Sequence, residues 1–434
     1  MHKEIIKKIR NKEAVIGIVG LGYVGIPLWL RFSEAGFNCI GFDNNSKHID
    51  ILKKGRSTIS HIHSSLIKKA LDNNSVLTTE ISDARKCDAL IICLPTPLDE
   101  KRNPDLSFIL NLAADLEPYF RKGQIISLES TSYPGTTEEK LLPLVEKSGL
   151  KIGEEIFLAY SPEREDPGNT EFTTKNIPKL CSGISIQCKQ VAKELYESVI
   201  DEVVLVESTK IAEMAKLLEN IHRAVNIGLV NEMKIVAEAL DIDIYDVINA
   251  AATKPFGFTP YYPGPGLGGH CLPIDPFYLA WKASELGVDT RFIRLAGEIN
   301  AAAPARVVNK LEEVLNLKTK NLNNAEVLVL GLAYKKNIDD ARESPSYEIL
   351  KLLEERGAKV NYSDPYIPTF PKTRKYNFDL KSIEITKEKI SIYDAVILAT
   401  DHDKFDLSLV ERFSQILIDT RGVCSKHLEN VIRA

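Results

Sequence analysis

A run of residues near the amino terminus constrains the fold more than any other part of the chain. Residues 14–43 read AVIGIVGLGYVGIPLWLRFSEAGFNCIGFD. The apolar segment AVIGIV predicts a buried parallel strand, Gly20, Gly22 and Gly25 form GxGxxG directly after it, and apolar residues then recur at helical spacing. A second apolar run ends at Asp43. Strand, glycine turn, helix, strand and acid follow one another in the order that a dinucleotide-binding fold requires.

Each part of this segment has a task in such a fold. The glycines permit a tight turn, close approach to a pyrophosphate and close packing of helix on strand. The pyrophosphate would sit at the helix amino terminus, where free N–H groups point outward. Asp43 would accept hydrogen bonds from the adenine ribose, and a carboxylate there disfavours the extra phosphate of NADP. The sequence therefore predicts an NAD site.

Two further apolar strands end in polar residues. CDALIICLPTP spans 87–97 and QIISLESTSYPGTT spans 124–137. Because ligands of a doubly wound sheet lie at the carboxyl ends of its strands, we expect Thr96 and Thr131 near the cofactor. The alternative for each threonine is a turn residue that only terminates its strand.

The carboxy-terminal third repeats the pattern without a second GxGxxG. Strand-like segments recur at 325–334, 392–401 and 416–422, and a helix is expected to begin at Ser344-Pro345. Its first loop carries Lys335, Lys336 and Arg342, cations that suit phosphate groups, although a solvated charged loop is the alternative. The predicted fold class is α/β, with two doubly wound Rossmann-like domains joined by a long central helical region. The predicted bounds are 1–207, 208–315 and 316–434.

The central region contains one long helical stretch, 208–240, which is apolar on more than one face. We expect it to be buried on several sides and to serve as a dimer core. Lys216 and Asn220 are four residues apart, so they share a helix face. A buried lysine is costly unless it is paired or functional. An exposed polar edge is the alternative.

A single cysteine stands in a glycine-rich segment, GPGLGGHCLPID, at 264–275. Glycines allow the backbone to approach a ligand closely, and Cys271 with Asp275 four residues on is a candidate nucleophile. A buried structural cysteine in a turn is the alternative.

Composition excludes several classes of function. The net charge of -5 argues against nucleic-acid binding, and no apolar run is long enough to span a membrane. The charged amino terminus does not resemble a signal peptide. Seven cysteines are scattered without a CxxC pair, which predicts a reducing cytoplasm, no disulfide framework and no metal site.

Taken together, these motifs resemble the nucleotide-sugar 6-dehydrogenases, the UDP-glucose/UDP-N-acetylhexosamine dehydrogenase family. The matching segments run in order over nearly the whole chain: GLGYVG (20–25), Asp43, PTP (95–97), ESTSYPGTT (129–137), YSPER (160–164), EMAKLLEN (213–220), GPGLGGHCLPID (264–275), GLAYKKNIDDARESPS (331–346) and DTRG (419–422). PGPGLGGHC and SPER are similar to the branch that acts on N-acetylated hexosamines.

The resemblance implies an NAD-dependent, two-step oxidation of a sugar 6-hydroxymethyl group to a carboxylate. It implies that Cys271 is the nucleophile that forms a thiohemiacetal and then a thioester. Lys216 and Asn220 would stabilise oxyanion charge, Asp275 would act with a water as base, and Glu163 and Thr131 would serve thioester hydrolysis. The implied cofactor contacts are Gly20, Gly22, Tyr23, Val24, Gly25, Asp43, Pro95, Thr96, Thr131 and Arg342. The implied substrate contacts are Glu163, Arg164, Lys216, Asn220, Tyr261, Tyr262, Gly266, Gly268, Lys335 and Arg421.

The chain departs from UDP-glucose dehydrogenases beside the cysteine and the aspartate. His270 replaces a small residue and Ile274 a lysine, while Lys254 is the nearest cation to the position of an arginine that crosses the dimer. We expect His270 to have a structural or substrate-contacting role rather than to activate Cys271.

The main hypothesis is a UDP-N-acetylglucosamine 6-dehydrogenase that makes a uronic acid for a surface polysaccharide, as a homodimer or higher homo-oligomer. UDP-N-acetylmannosamine, UDP-N-acetylgalactosamine and UDP-glucose are alternative substrates. A two-electron 2-hydroxyacid-type dehydrogenase is the alternative from another class and would need no thiol. A nucleotide-binding regulatory protein with a decayed site is disfavoured, because every implied catalytic residue is present.

Overall fold

The computed structural model describes all of the chain except residues 60–61, 100, 166–170, 270 and 374. The chain divides into two compact units. The first comprises Met1–Glu219 and Phe277–Val288, and the second comprises Asn220–Pro276 and Asp289–Ala434. Each unit is built on its own sheet.

The first unit is built on an eight-stranded sheet. Its strands are β1 Val15–Val19, β2 Asn38–Phe42, β3 Val76–Thr78, β4 Ala89–Ile92, β5 Gln124–Leu128, β6 Ile156–Tyr160, β7 Lys179–Gly183 and β8 Val203–Leu205. The strand order is β3-β2-β1-β4-β5-β6-β7-β8. All neighbours are parallel except β6 and β7. The order reverses between β1 and β4, which is where ligands of such sheets bind.

Helices alternate with these strands, as the βαβ pattern requires. They are α1 His2–Arg10, α2 Gly25–Glu34, α3 Ser46–Lys53, α4 Ser64–Asp72, α5 Ser107–Leu116, α6 Leu142–Glu146 and α7 Ile186–Glu197, and the long helix α8, Thr209–Ala239, begins in this unit. Short turns of other helix types lie at Ile81–Lys86, Glu117–Tyr119 and Thr137–Leu141. The sheet and helices enclose a core that includes the fully buried Ile16, Trp29, Phe32 and Phe157.

The second unit is built on a five-stranded, entirely parallel sheet. Its strands are β9 Glu326–Leu330, β10 Lys359–Ser363, β11 Ala395–Leu398, β12 Leu417–Asp419 and β13 Val431–Arg433, in the order β10-β9-β11-β12-β13. Its helices are the remainder of α8, α9 Ile244–Ala252, α11 Arg291–Leu317, α12 Pro345–Glu355, α13 Lys387–Ser391 and α14 Leu407–Phe413. Helix α10, Asp275–Glu285, begins here and continues into the first unit.

The predicted fold class is confirmed. The expected helix start at Ser344-Pro345 is also confirmed, because Ser344 caps α12 by accepting the N–H of Ser346 and Pro345 is its first residue. Both sheets carry the strand order of doubly wound folds around their switch points, β1 with β4 and β9 with β11.

The expectation that α8 is buried on several sides is wrong for the single chain. Ala212, Leu217 and Ala224 are buried, but Leu218 and Leu229 are more than half exposed. Part of the apolar surface of this helix is therefore not covered by the other described residues of the chain.

Candidate active site

The glycine turn after β1 forms an open cradle in the first unit. Gly20 adopts φ +94°, and its N–H donates to the carbonyl of Phe42 at 2.9 Å. A Cβ at Gly25 would collide with the carbonyl oxygen of Gly20, whereas a Cβ at Gly22 would meet nothing within 4 Å. Gly25 thus serves helix–strand packing, and the space above Gly22 is open to a ligand. These residues fit a bound dinucleotide pyrophosphate.

The acid at the end of β2 is tied to this turn. Asp43 is half-buried and accepts the N–H of Leu21 at 3.1 Å and that of Asn45 at 2.9 Å. His48 contacts the carbonyl of Leu21 through Nε2 at 2.8 Å. The carboxylate is therefore held at the lip of the cradle, where a ribose hydroxyl could donate to it.

The predicted threonines follow adjacent strands. Thr96 follows β4 and is buried, and Thr131 follows β5 and is half-buried, while Pro95 is exposed. β4 and β5 are parallel neighbours, paired from Ala89↔Ile125 to Ile92↔Leu128, so both turns lie at one edge of the sheet. Tyr23 and Val24 lie within the glycine turn and are half-buried.

A lysine–carboxylate pair lies at the same edge. Lys216 on α8 is 6% exposed, and its Nζ is 3.9 Å from Oε2 of Glu163, which follows β6. Burial raises the pKa of Glu163, although the charge of Lys216 acts in the opposite direction. Arg164 next to it donates to the carbonyl of Pro178 at 2.6 Å and pairs with Glu219 at 2.8 Å. The structure thus brings Lys216 and Glu163 together.

Two further carboxylates lie beside this pair, and sequence reasoning missed both. Glu129 is buried and forms a 2.8 Å ion pair with Lys179. Glu165 accepts from Thr174, and burial together with the charge of Glu163 raises its pKa to about 8. The only sequence signal was the position of Glu129 directly after β5.

In the second unit, the glycines before the cysteine pack against protein. Gly266 has φ +138° and lies against Pro304 and Pro345. A Cβ at Gly269 would come within 3.0 Å of the ring of Tyr334, and the N–H of Gly269 donates to the carbonyl of Arg342 at 2.9 Å. The loop is therefore docked onto the segment after β9, a role for the glycines that the sequence did not reveal.

The cysteine and the acid form a tight turn at the start of α10. The N–H of Asp275 donates to the carbonyl of Cys271 at 2.8 Å. Asp275 is buried, and the Asn220 amide donates to its carboxylate at 2.6 Å. Cys271 is half-buried. The structure thus brings Cys271, Asp275 and Asn220 together.

The predicted cations of the second unit differ in their burial and in their hydrogen-bond partners. Arg421 follows β12 and is held by the carbonyl of Ala399 at 2.6 Å, and burial lowers its pKa. Arg342 is partly exposed and forks onto Asp340 at 2.6–3.0 Å. Lys335 is half-buried.

The acid that follows β10 in the second unit has more hydrogen-bond partners within its unit than Asp43 has in the first. Asp364 accepts the N–H groups of Leu332 and Ala333 at 2.7 and 3.0 Å, as Asp43 accepts that of Leu21. The same oxygen also contacts Nε2 of the buried His402 at 3.1 Å. This carboxylate is therefore engaged within the unit, whereas Asp43 remains half-buried.

The two predicted tyrosine contacts precede the cysteine loop. Tyr261 contacts Nδ1 of His222 at 3.1 Å, and Tyr262 donates to Asn249 at 2.9 Å and stacks on Tyr245. Gly268 of the same loop packs on Tyr334. His270 lies outside the described residues. Among the residues that are described, no group of acids, histidines and cysteines could hold a metal ion.

Comparison with known families accounts for nearly the whole chain. Residues 14–200 match the NAD binding domain of the UDP-glucose/GDP-mannose dehydrogenase family, residues 210–302 its central domain and residues 328–426 its UDP binding domain. The chain belongs to this family. It is an NAD-dependent dehydrogenase that acts on a nucleotide sugar.

Individual relatives are named for different nucleotide sugars. The UDP-N-acetyl-D-glucosamine 6-dehydrogenase of Pseudomonas aeruginosa is 34% identical over 91% of this chain and 92% of its own length. The UDP-N-acetyl-D-mannosamine dehydrogenase of Methanococcus vannielii is 31% identical over 97% and 96%. The solved structure of the UDP-D-ManNAc dehydrogenase from Pyrococcus horikoshii has a TM-score of 0.87 and 30% identity, covering 96% of this chain and 98% of that one. No helix among the described residues is long and apolar enough to cross a membrane.

Proposed function

We propose that the protein oxidises the 6-hydroxymethyl group of a UDP-N-acetylhexosamine to a carboxylate, with UDP-N-acetylglucosamine as the substrate. The observation that carries this proposal is the half-buried Cys271 one turn before Asp275, whose carboxylate Asn220 holds at 2.6 Å. A dehydrogenase that stops at two electrons needs no thiol. Relatives named for UDP-N-acetylglucosamine support the choice of sugar, and relatives named for UDP-N-acetylmannosamine make that epimer the alternative.

The thiol makes the second oxidation possible. An aldehyde must gain a nucleophile before it can be oxidised again, and addition of the Cys271 sulfur to the aldehyde carbon forms a thiohemiacetal. Oxidation of this adduct gives a thioester. NAD, held by the glycine turn and Asp43, would supply the hydride acceptor for both oxidations. The buried Asp275 assists through a water that takes the proton of the alcohol.

Hydrolysis then releases the product. Water attacks the thioester carbonyl, the bond from carbon to sulfur breaks, and the thiol of Cys271 is regenerated. Glu163 accepts the proton of the attacking water, which Thr131 holds, and burial makes Glu163 a stronger base than an exposed glutamate. Lys216 and Asn220 stabilise the oxyanion, and the ammonium of Lys216 is buried, where such stabilisation is strongest.

We propose the following division of the chain, with an NAD-binding domain at 1–207, a helical region with the cysteine loop at 208–315 and a UDP-sugar-binding domain at 316–434. The open space above Gly22 and the held carboxylate of Asp43 support the first assignment. The remaining cofactor contacts are assigned to Gly20, Tyr23, Val24, Gly25, Pro95, Thr96, Thr131 and Arg342. The substrate contacts are assigned to Glu163, Arg164, Lys216, Asn220, Tyr261, Tyr262, Gly266, Gly268, Lys335 and Arg421.

The experiment that tests this function measures NADH and uronate together. The purified protein is incubated with NAD and, in separate reactions, each of four UDP-sugars: UDP-N-acetylglucosamine, UDP-N-acetylmannosamine, UDP-N-acetylgalactosamine and UDP-glucose. We expect two NADH for each uronate, with the largest kcat/KM for UDP-N-acetylglucosamine. Two NADH with another sugar as the preferred substrate would keep the mechanism and reassign the sugar. One NADH per product would rule out the thioester route.

A further inference from the structure

A buried carboxylate on α8 holds the turn that follows β5. Glu213 is fully buried in the first unit. Its Oε2 accepts the N–H of Gly135 at 2.5 Å, and its Oε1 accepts the N–H and the hydroxyl of Thr137 at 2.9 and 2.7 Å. One side chain of the helix therefore satisfies three donors of one turn, whose residues 130–137 we call the β5 turn.

Two residues with roles in the proposed reaction are close in sequence to the two ends of this contact. Thr131 belongs to the β5 turn, four residues before Gly135. Lys216 is three residues after Glu213 on α8, so the two side chains lie about one helical turn apart on the same side of the helix. Glu213 thus connects the backbone that carries Thr131 to the helical turn that carries Lys216.

The turn is ordered around this contact. Gly135 has φ +103°, a conformation that suits glycine, and the N–H and hydroxyl of Thr136 donate to the carbonyl of Tyr133 at 3.0 and 2.7 Å. Tyr133 is buried and packs on Trp281 at a ring distance of 5.2 Å. These contacts hold the β5 turn on both sides of Gly135, and the Glu213 carboxylate accepts three of its hydrogen bonds.

We propose that Glu213 is a positioning residue that sets the water-holding Thr131 against the oxyanion-binding Lys216. This inference rests on the proposed function. Glu213 acts through both residues and need not touch the substrate. A displacement of reacting groups by about 1 Å can cost on the order of 10²-fold in rate, so a loosened β5 turn would slow thioester hydrolysis.

The ionisation of Glu213 should make the activity depend on pH. Burial raises its pKa to about 7, against the three hydrogen bonds from the β5 turn, which favour the charged form. Hydrogen bonds to an ionised carboxylate are stronger than those to a protonated carboxyl, so the contact weakens as the pH falls through 7. Other charged or titratable groups surround Glu213 among the described residues. They are Tyr133 on the β5 turn, Glu138 on the adjoining helical turn and Lys210 on α8, with Glu139 and Lys282 beyond them.

The contribution of Glu213 to the free energy of unfolding depends on pH in the opposite direction to its expected effect on activity. A carboxyl whose folded pKa is raised above its unfolded value near 4.5 contributes stability that is present below 4.5 and lost as the pH rises through about 7. A loss of activity on acidification below 7 therefore cannot be attributed to unfolding caused by this group. The two effects are separable in one pH series.

The test compares the wild type with Glu213→Gln and, as a matched control, Glu138→Gln. Glu138 is the nearby carboxylate that pairs with Lys210 rather than with the backbone of the turn. In Glu213→Gln we expect kcat to fall on the order of 10²-fold with little change in KM, after a burst of two NADH per active site. The burst means that the thioester on Cys271 accumulates, which intact-protein mass measurement detects. The acid limb of the wild-type kcat profile near pH 7 should be absent in this variant and present in Glu138→Gln.

Hydrogen exchange separates this inference from the proposed function. In Glu213→Gln the amides of Gly135 and Thr137 should exchange faster than in the wild type, whatever the substrate. An active wild type whose Glu213→Gln variant keeps its rate and pH profile would overturn the positioning role, even if exchange is faster. A wild type inactive on every UDP-sugar would instead overturn the proposed function, and with it the positioning role. If Glu213→Gln does not fold, Thr137→Val removes one donor and keeps the carboxylate, and a smaller fall of kcat in the same direction is required.

Discussion

At the scale of single residues, the buried Asp275 shows how the fold accommodates a polar group that is costly to bury. A carboxylate that is 1% exposed is stable only when its oxygens have partners. The Asn220 amide supplies one at 2.6 Å, and Asp275 is also the first residue of α10, where a negative charge is favoured by the helix dipole. The site thus keeps an acid one turn from Cys271 in water-poor surroundings.

The cysteine itself provides the prediction at this scale. Cys271→Ala should reduce uronate formation by a factor on the order of 10⁴ or more, because the proposed route forms the thioester on this sulfur. Cys271→Ser, which keeps the size but not the nucleophilicity of the thiol, should be nearly as impaired. NAD affinity, measured by fluorescence titration, should be unchanged in both variants, since the glycine cradle lies in the first unit. Normal turnover by either variant would refute the covalent route.

At the scale of elements, the glycines of the turn between β1 and α2 have different structural roles. Gly25 permits close contact with the backbone of Gly20, whereas Gly22 faces open space. Packing and ligand binding are therefore separable within a single GxGxxG, which the motif by itself does not reveal.

Alanine substitutions test this separation. Gly25→Ala should lower the free energy of unfolding by about 1–3 kcal/mol or more, because a methyl group there collides with backbone. Gly22→Ala should leave the stability within about 0.5 kcal/mol of the wild type and weaken NAD binding on the order of tenfold. Denaturant unfolding and NAD titration of both proteins give the four values. Equal losses of stability in the two variants would contradict the assignment.

At the scale of the whole molecule, α8 presents an apolar stripe that the single chain does not cover. Leu229, Met233 and Val236 are spaced four and three residues apart, so they lie along one helix face, and they are 43–53% exposed. We propose that this stripe pairs with its copy in a homodimer, since a two-fold axis makes one surface self-complementary.

Charged substitutions in the stripe test the dimer. The double variant Leu229→Glu with Val236→Glu should sediment as a monomer at concentrations where the wild type is dimeric, because each interface would then bury four carboxylates. Leu317→Glu, at an 85% exposed position at the end of α11, is the control and should leave the mass unchanged. A monomeric wild type in analytical ultracentrifugation would exclude the proposal.

Much of the fold and part of the candidate site could be predicted because they depend on local patterns. The period of apolar residues, the glycine turn and the acid after β2 are readable within 14–43, and α8 was expected at nearly its observed bounds. The cofactor NAD followed from the same segment and is confirmed by the matching NAD binding domain. The reducing compartment that the scattered cysteines indicate stays a prediction.

The sequence by itself determined the fold class and the cofactor, because each depends on neighbours along the chain, and the residues proposed to carry the chemistry stay a prediction. Only the tertiary structure decided which of them meet. Asn220 and Asp275 are 55 positions apart, Glu213 and Thr137 are 76 apart, and Glu129 and Lys179 are 50 apart. Contacts at such separations depend on how distant segments pack, and a buried carboxylate that holds a turn has the same local sequence signal as an exposed one.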